Sequence, residues 1–92
     1  MDSIIQKERK CFLCGKMTPL ETHHIFGGAN RKKSERYGLK VYLCHWCHNE
    51  PPAGVHFNRE NDLILKQTAQ RVFERDHTRE QFMDEFGRNY LD

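Results

Sequence analysis

Two cysteine pairs of the form Cys-x-x-Cys constrain this sequence more than any other feature. Cys11 and Cys14 form the first pair, and Cys44 and Cys47 form the second. A chain of 92 residues builds only a marginal core, and domains of this size often depend on a metal or on disulfides. Two such turns supply the four thiolates that tetrahedral zinc prefers. The pattern therefore predicts a structural zinc ion that holds one small domain together.

Disulfides or free thiols are the alternative state of these cysteines. The N-terminal region contains no apolar run long enough for a signal peptide, and no later stretch is long enough to span a bilayer. We therefore expect a cytoplasmic protein that does not bind membranes, in which thiols stay reduced, and this favours zinc over disulfides. A redox role is weaker, because neither pair lies in a βαβ context.

The residues between the cysteine pairs predict a β-hairpin with a long basic loop. A short strand is expected to cross a turn at Pro19 and end near residues 22–25, and residues 37–43 form the second strand. Residues 26–36 are predicted to be a loop, because Gly27-Gly28 interrupts regular structure. The second cysteine pair starts a helix that Pro51-Pro52 stops or bends. Residues 1–10 are polar and aperiodic, which indicates a frayed start or a short arm.

Two helices are predicted after residue 57. The first runs from Asn58 or Asn61 to about Asp76, with apolar residues recurring at three- and four-residue spacing. The second begins at Thr78 with a capping box, carries its apolar residues on one side and ends near Gly87. The fold class is therefore α+β, in a single domain over 1–92. A zinc-stapled core covers 11–57, and 58–92 provide helical support. The apolar side of the second helix is predicted to consist of Phe82, Met83 and Phe86.

Adjacent histidines within the predicted hairpin are the main candidates for chemistry. His23 and His24 on a strand point to opposite faces, so one can bind a metal while the other addresses a water or substrate. His48, at the start of the predicted helix, can face back towards the hairpin. The alternative is that His23 and His24 are ordinary strand residues. Their order together with His48 and the two cysteine pairs favours the functional interpretation.

The order CxxC, HHIFGG and LCHWCHN resembles the HNH endonuclease family, and especially its small phage and prophage proteins. The resemblance covers about residues 11–57. It implies the ββα-metal finger fold, a β-hairpin plus a helix, here followed by two C-terminal helices. It also implies a metal-dependent DNA endonuclease that hydrolyses phosphodiester bonds by a one-metal mechanism with a histidine general base. Such a protein would be an enzyme working in the cytoplasm of a bacterial host, with DNA as its partner.

The resemblance assigns a role to each matching residue. His23 stands at the first metal ligand, His24 at the general base and His48 at the metal ligand on the finger helix. Pro52 occupies the position where some members have a further histidine ligand, and His56 is the candidate to replace it. The catalytic ion could be Mg²⁺, Mn²⁺, Ni²⁺ or Zn²⁺, in addition to the structural zinc.

The family asparagine is missing from its usual position. Leu39 stands there, and Asn30 in the predicted loop is the candidate to orient His24. This departure supports a second hypothesis. In it, the chain is a non-catalytic zinc-stabilised module that binds nucleic acid or a phage or host protein of recombination or packaging.

Positive charge is concentrated in the first half of the chain. Residues 1–50 carry a net charge of +4 and residues 51–92 carry −2. A run of basic residues could be a solvated loop, but beside a metal site it becomes a candidate surface for DNA phosphates. The predicted nucleic-acid-binding residues are Arg31, Lys32, Lys33, Arg36 and Lys40.

Overall fold

An antiparallel β-hairpin forms the centre of the fold in the computed structural model, which describes residues 2–91. Strand β1 covers Leu20–His24 and strand β2 covers Lys40–Cys44. Their register pairs Leu20 with Cys44 and His24 with Lys40. The predicted hairpin is confirmed, although β2 begins and ends later than expected.

The connection between the strands is helical, so the prediction of a loop over residues 26–36 is wrong. A 3-10 turn at Gly28–Asn30 leads into helix α1, Arg31–Arg36. Ser34 anchors α1 because its hydroxyl is buried, accepts from the Phe26 N–H at 3.2 Å and donates to the Leu39 carbonyl at 2.6 Å. These tertiary hydrogen bonds hold a helix that has no apolar stripe of its own.

Helix α2, His45–Asn49, follows β2 directly, and Glu50 and Pro51 end it as the two prolines predict. The chain then makes a compact turn in which Gly54 N–H donates to the Glu50 carbonyl at 2.7 Å. Val55 N–H next donates to the Cys47 carbonyl at 2.8 Å. The turn therefore folds back along α2.

Helices α3, Arg59–Phe73, and α4, Arg79–Phe86, complete the fold. The Asn58 side chain caps α3 by accepting from the Asn61 N–H at 2.9 Å. Thr78 and Gln81 form the predicted capping box, and Gly87 ends α4 at a positive φ of 77°. The predicted caps of both helices are confirmed.

The hydrophobic core lies between the hairpin and these two helices. Phe26 packs against Phe82 and Phe86 with ring centroids 5.7 and 4.5 Å apart. Met83, predicted on the apolar side of α4, is exposed instead. Fully buried side chains from the strands, the helices and the residue before β2 fill the centre, namely Leu39, Val41, Leu43, Leu65, Ala69 and Phe82.

The N-terminal residues form an arm that packs on the hairpin, so of the two predicted states, a frayed start or a short arm, the second is observed. The Ser3 hydroxyl donates to the Lys40 carbonyl at 2.6 Å, and the buried Gln6 side chain accepts from the Tyr42 N–H at 2.7 Å. Met1 of the predicted arm lies outside the described residues. Within residues 2–91, none of the helices has the length and apolar character that a bilayer crossing requires.

Candidate functional site

The four cysteines converge at the junction of the N-terminal turn, strand β2 and helix α2. Their sulfur atoms lie within 4.8 Å of one another, and the Sγ atoms of Cys14 and Cys44 are 3.6 Å apart. A tetrahedral zinc ion about 2.3 Å from each sulfur would place the sulfurs about 3.8 Å apart. The four thiols, all free, could therefore hold a structural metal such as zinc.

The backbone around Cys11 prepares this cluster for a metal. Gly15 takes a φ of +82°, as the tight turn requires, and its N–H donates to the Cys11 carbonyl at 2.9 Å. Burial opposes ionisation of Cys11, but backbone hydrogen bonds from Cys44, Cys14 and Leu13 lower its pKa to about 6. Zinc binds thiolates, and these hydrogen bonds favour that form of Cys11, whereas burial raises the pKa of the Cys47 thiol.

A second cluster contains three histidines on three different segments. His23 lies on β1, His48 on α2 and His56 in the turn that follows α2. One ring nitrogen from each lies within 4.8 Å of the others, so this group could also hold a metal ion. The rings of His23 and His48 have centroids 5.0 Å apart, and those of His48 and His56 are 4.9 Å apart. The structure therefore brings His56, the candidate to replace a ligand at Pro52, next to His23 and His48.

His23 has the chemistry of a metal ligand. Its Nε2 atom is buried and has no hydrogen-bond partner among the described residues. Burial, followed by repulsion from His48 and His56, lowers the pKa of His23 to about 3. The ring is therefore neutral near pH 7, and a neutral imidazole with a free nitrogen is the form that binds metal. An unsatisfied buried nitrogen costs about 1–3 kcal/mol, which a bound ion would offset.

Glu21 orients the second histidine of this cluster, although sequence reasoning missed it. Its Oε1 atom accepts a hydrogen bond from His48 Nδ1 at 2.7 Å, and the Asn49 amide also donates to it at 2.9 Å. The bond from His48 lowers the pKa of the Glu21 carboxyl group. Because Nδ1 donates, Nε2 of His48 is the nitrogen left for a metal. Glu21 is two residues before His23 on β1, so strand alternation would have placed both on one face.

His24 lies beside the histidine cluster but has a different partner. Its Nε2 atom is 2.7 Å from Glu35 Oε1 on helix α1. Asn30, predicted to orient His24, instead donates its amide to the Phe86 carbonyl at 3.4 Å. That prediction is wrong because residues 28–36 are helical, which brings Glu35 over the strand and turns Asn30 towards α4.

An open cavity of about 730 Å³ joins these groups. Its walls combine the end of β1, the turn after α2 and the start of α3, and they are rich in imidazole and cationic side chains. The lining includes His23, His24, His48, His56, Arg31, Arg59, Asp62 and Lys66. The last three, on α3, had no signal in the sequence, because exposed polar residues on a helix usually just face solvent.

The predicted basic surface is only partly available to a ligand. Lys40 is buried and ion-paired with Glu35, so its assignment as a nucleic-acid contact is wrong. The Lys33 ammonium donates to the Glu85 carbonyl at 2.6 Å, and the Arg36 guanidinium lies 5.7 Å from the centre of the Tyr37 ring. Lys32 is exposed, and Arg31 lines the cavity.

The fold and the site define a small α+β domain with a cysteine cluster that could hold a structural metal and a separate histidine cluster beside an open cavity. Compared with protein-family models, curated proteins and solved structures, the chain has no match. Any function therefore has to be argued from the site itself.

Proposed function

We propose that this chain is a metal-dependent DNA endonuclease of the HNH type, which hydrolyses phosphodiester bonds by a one-metal mechanism. The observation that carries the proposal is the convergence of His23, His48 and His56 at the wall of a cavity that His24 also lines. The unsatisfied Nε2 atom of His23 supports a metal at that point. The order of hairpin and helix, with histidines on β1 and α2, supports the proposed ββα-metal finger.

In this proposal, the three clustered histidines would hold the divalent ion. With three protein ligands, such an ion would have room for water and for a phosphate oxygen. When bound, the ion would stabilise negative charge on the phosphate and on the leaving oxygen. Mg²⁺, Mn²⁺, Ni²⁺ and Zn²⁺ are all candidates, although an all-imidazole site suits Zn²⁺ and Ni²⁺ better than Mg²⁺.

The remaining chemistry belongs to His24 and to the cations that line the cavity. Neutral His24 accepts a proton from the attacking water, whose oxygen forms the new bond to phosphorus as the bond to the 3′-oxygen breaks. The leaving oxygen takes a proton from solvent. Arg31 and Arg59 line the cavity and would hold the phosphodiester backbone without reading base sequence.

One observation favours the alternative, a non-catalytic zinc-stabilised module that binds nucleic acid or a recombination or packaging protein. Leu39, at the position of the family asparagine, is fully buried in the core and cannot contact a substrate. The alternative requires the cysteine cluster but no tightly bound ion at the histidines, and it requires no cleavage.

Cleavage of supercoiled plasmid separates the two proposals. The zinc-loaded protein is incubated with Mg²⁺, Mn²⁺, Ni²⁺ or additional Zn²⁺, and nicked and linear products are measured over time. We expect His24→Ala to lower the rate by about 10²–10⁴, the usual contribution of a general base. His77→Ala is the matched control, since His77 stacks on Phe73 between α3 and α4, with ring centroids 4.3 Å apart.

Two results would count against the endonuclease proposal. If wild type cuts plasmid no faster than His24→Ala with any of the four metals, His24 has no catalytic role. A metal content of one ion per chain that is unchanged in His23→Ala would indicate that only the cysteine cluster is occupied, as the alternative requires.

A further inference from the structure

A three-residue contact joins the end of the hairpin to helix α1. His24 and Lys40 are directly opposite each other in the strand register, so their side chains lie on the same face. Glu35 lies over this pair. Its Oε1 atom is 2.7 Å from His24 Nε2, and its Oε2 atom accepts from the Lys40 ammonium. The carboxylate therefore bridges both strands with one oxygen for each partner.

The charges in this contact fix which atoms donate. Hydrogen bonds from Lys40 and then His24 lower the pKa of Glu35 to about 2, so the carboxyl group is ionised at neutral pH. An ionised carboxylate only accepts hydrogen bonds. The proton between Glu35 and His24 must therefore belong to Nε2 of the imidazole. In neutral His24, Nδ1 is then the nitrogen with the free lone pair.

We propose that Glu35 is a positioning residue that fixes His24 in the Nε2–H tautomer and so makes Nδ1 its basic nitrogen. The catalytic consequence rests on the proposed nuclease function, whereas the tautomer does not. Glu35 thereby orients the imidazole of His24. Asn30 does not do so, because it donates to the Phe86 carbonyl, and Leu39 cannot, because it is buried in the core.

Lys40 gives this arrangement its rigidity. Its side chain is only 8% exposed, whereas that of Glu35 is 56% exposed. An exposed glutamate alone would sample several rotamers, and any change from the observed rotamer would break the bond to His24. Lys40 is held in place by burial in the hairpin, so its bond to Oε2 keeps Oε1 aimed at the imidazole. This also explains why a lysine of the basic stretch is buried.

Nitrogen NMR of the imidazole rings tests the tautomer directly. In protein labelled with ¹⁵N-histidine, two-bond and three-bond couplings to the ring protons distinguish Nε2–H from Nδ1–H, and His24 is assigned from the signal lost in His24→Ala. We expect the Nε2–H pattern in wild type and a mixture of both tautomers in Glu35→Gln, since the amide can accept from Nε2 or donate to it. A predominant Nδ1–H tautomer in wild type, or no change in Glu35→Gln, overturns the proposal.

Plasmid cleavage tests the catalytic consequence. We expect Glu35→Ala to lower kcat by about 10–100-fold, typical for loss of a partner that orients a functional histidine, with little change in KM for DNA or in metal content. Glu35→Gln should fall between Glu35→Ala and wild type. Glu8→Ala is the matched control, since Glu8 forms an exposed ion pair with Lys10 at 3.0 Å. Equal rates for Glu35→Ala and Glu8→Ala would refute the positioning role.

A further variant distinguishes loss of catalysis from loss of stability. Glu35→Ala leaves the buried Lys40 ammonium without its partner, which is destabilising in itself. The double variant Glu35→Ala/Lys40→Met removes both charges, and it should regain stability but not kcat. Recovery of kcat in this variant would show that the role of Glu35 is structural. If wild type cuts no DNA but shows the Nε2–H tautomer, the nuclease proposal fails while the assignment of Glu35 to the tautomer stands.

Discussion

Replacing Cys14 by serine isolates the contribution of a metal at the cysteine cluster. Cys14 is exposed, so the substitution removes very little packing. Its Sγ atom is nevertheless 3.6 Å from that of Cys44 and belongs to the group that could hold zinc. A large effect on stability therefore cannot come from the core and has to come from the metal.

The expected effect is large relative to the stability of the domain. Structural zinc supplies an apparent ~10–16 kcal/mol in zinc-finger peptides, or roughly 2.5–4 kcal/mol for each of four thiolates. Domains of this size are stable by only ~5–14 kcal/mol in total. At about 4–8 °C for each kcal/mol, loss of one ligand should lower Tm by about 10–30 °C.

Thermal unfolding followed by circular dichroism, with zinc content measured on the same samples, provides the assay. Met17→Ser is the matched control, because Met17 is an exposed sulfur-containing side chain just beyond the same turn. We expect Met17→Ser to keep one zinc per chain at the cysteine cluster and a Tm within a few degrees of wild type. The reasoning is refuted if Cys14→Ser behaves in the same way as Met17→Ser.

The turn after α2 and the cavity wall provide two further predictions. A Cβ at Gly54 would lie 2.6 Å from the Glu50 carbonyl oxygen, so Gly54→Ala should displace His56. Isothermal titration should then show metal binding at the histidines weakened about tenfold or more. Gly27→Ala, with open space around its Cβ, should leave metal binding unchanged. Arg31→Ala should lower the slope of log K for DNA against log salt by about one, and an unchanged slope would exclude a phosphate contact.

Local signals in the sequence predicted the parts of the fold that depend on local interactions. The cysteine spacing located both turns, and Gly15 has the positive φ that its turn requires. Thr78 and Gln81 lie within one helical turn, so their reciprocal hydrogen bonds depend on no distant residue. The histidines that converge were also among the candidates, because a resemblance in order and spacing pointed to them.

Helix α1 could not be predicted in the same way. Its sequence RKKSER has no apolar periodicity, and Ser34 is its only buried residue among those described. Contacts with Phe26, Leu39 and Glu85, all outside the helix, stabilise it. The error about Asn30 follows from this omission, because the sequence predicts a loop there. Lys40 is predicted on the second strand, and what the sequence does not show is that Glu35 on α1 pairs with it.

The two clusters depend on the same short helix, which explains why the sequence places them so close together. Cys47 and His48 are neighbours on α2, whose five residues are too few to form a stable helix alone. The cysteine cluster ties the start of α2 to the N-terminal turn, and Val55 ties the following turn to Cys47. We therefore expect His48 and His56 to keep their positions only while the cysteine cluster is intact. A chain with a small core could build an open histidine site in this way, because the neighbouring cysteine cluster would supply the rigidity that the site needs.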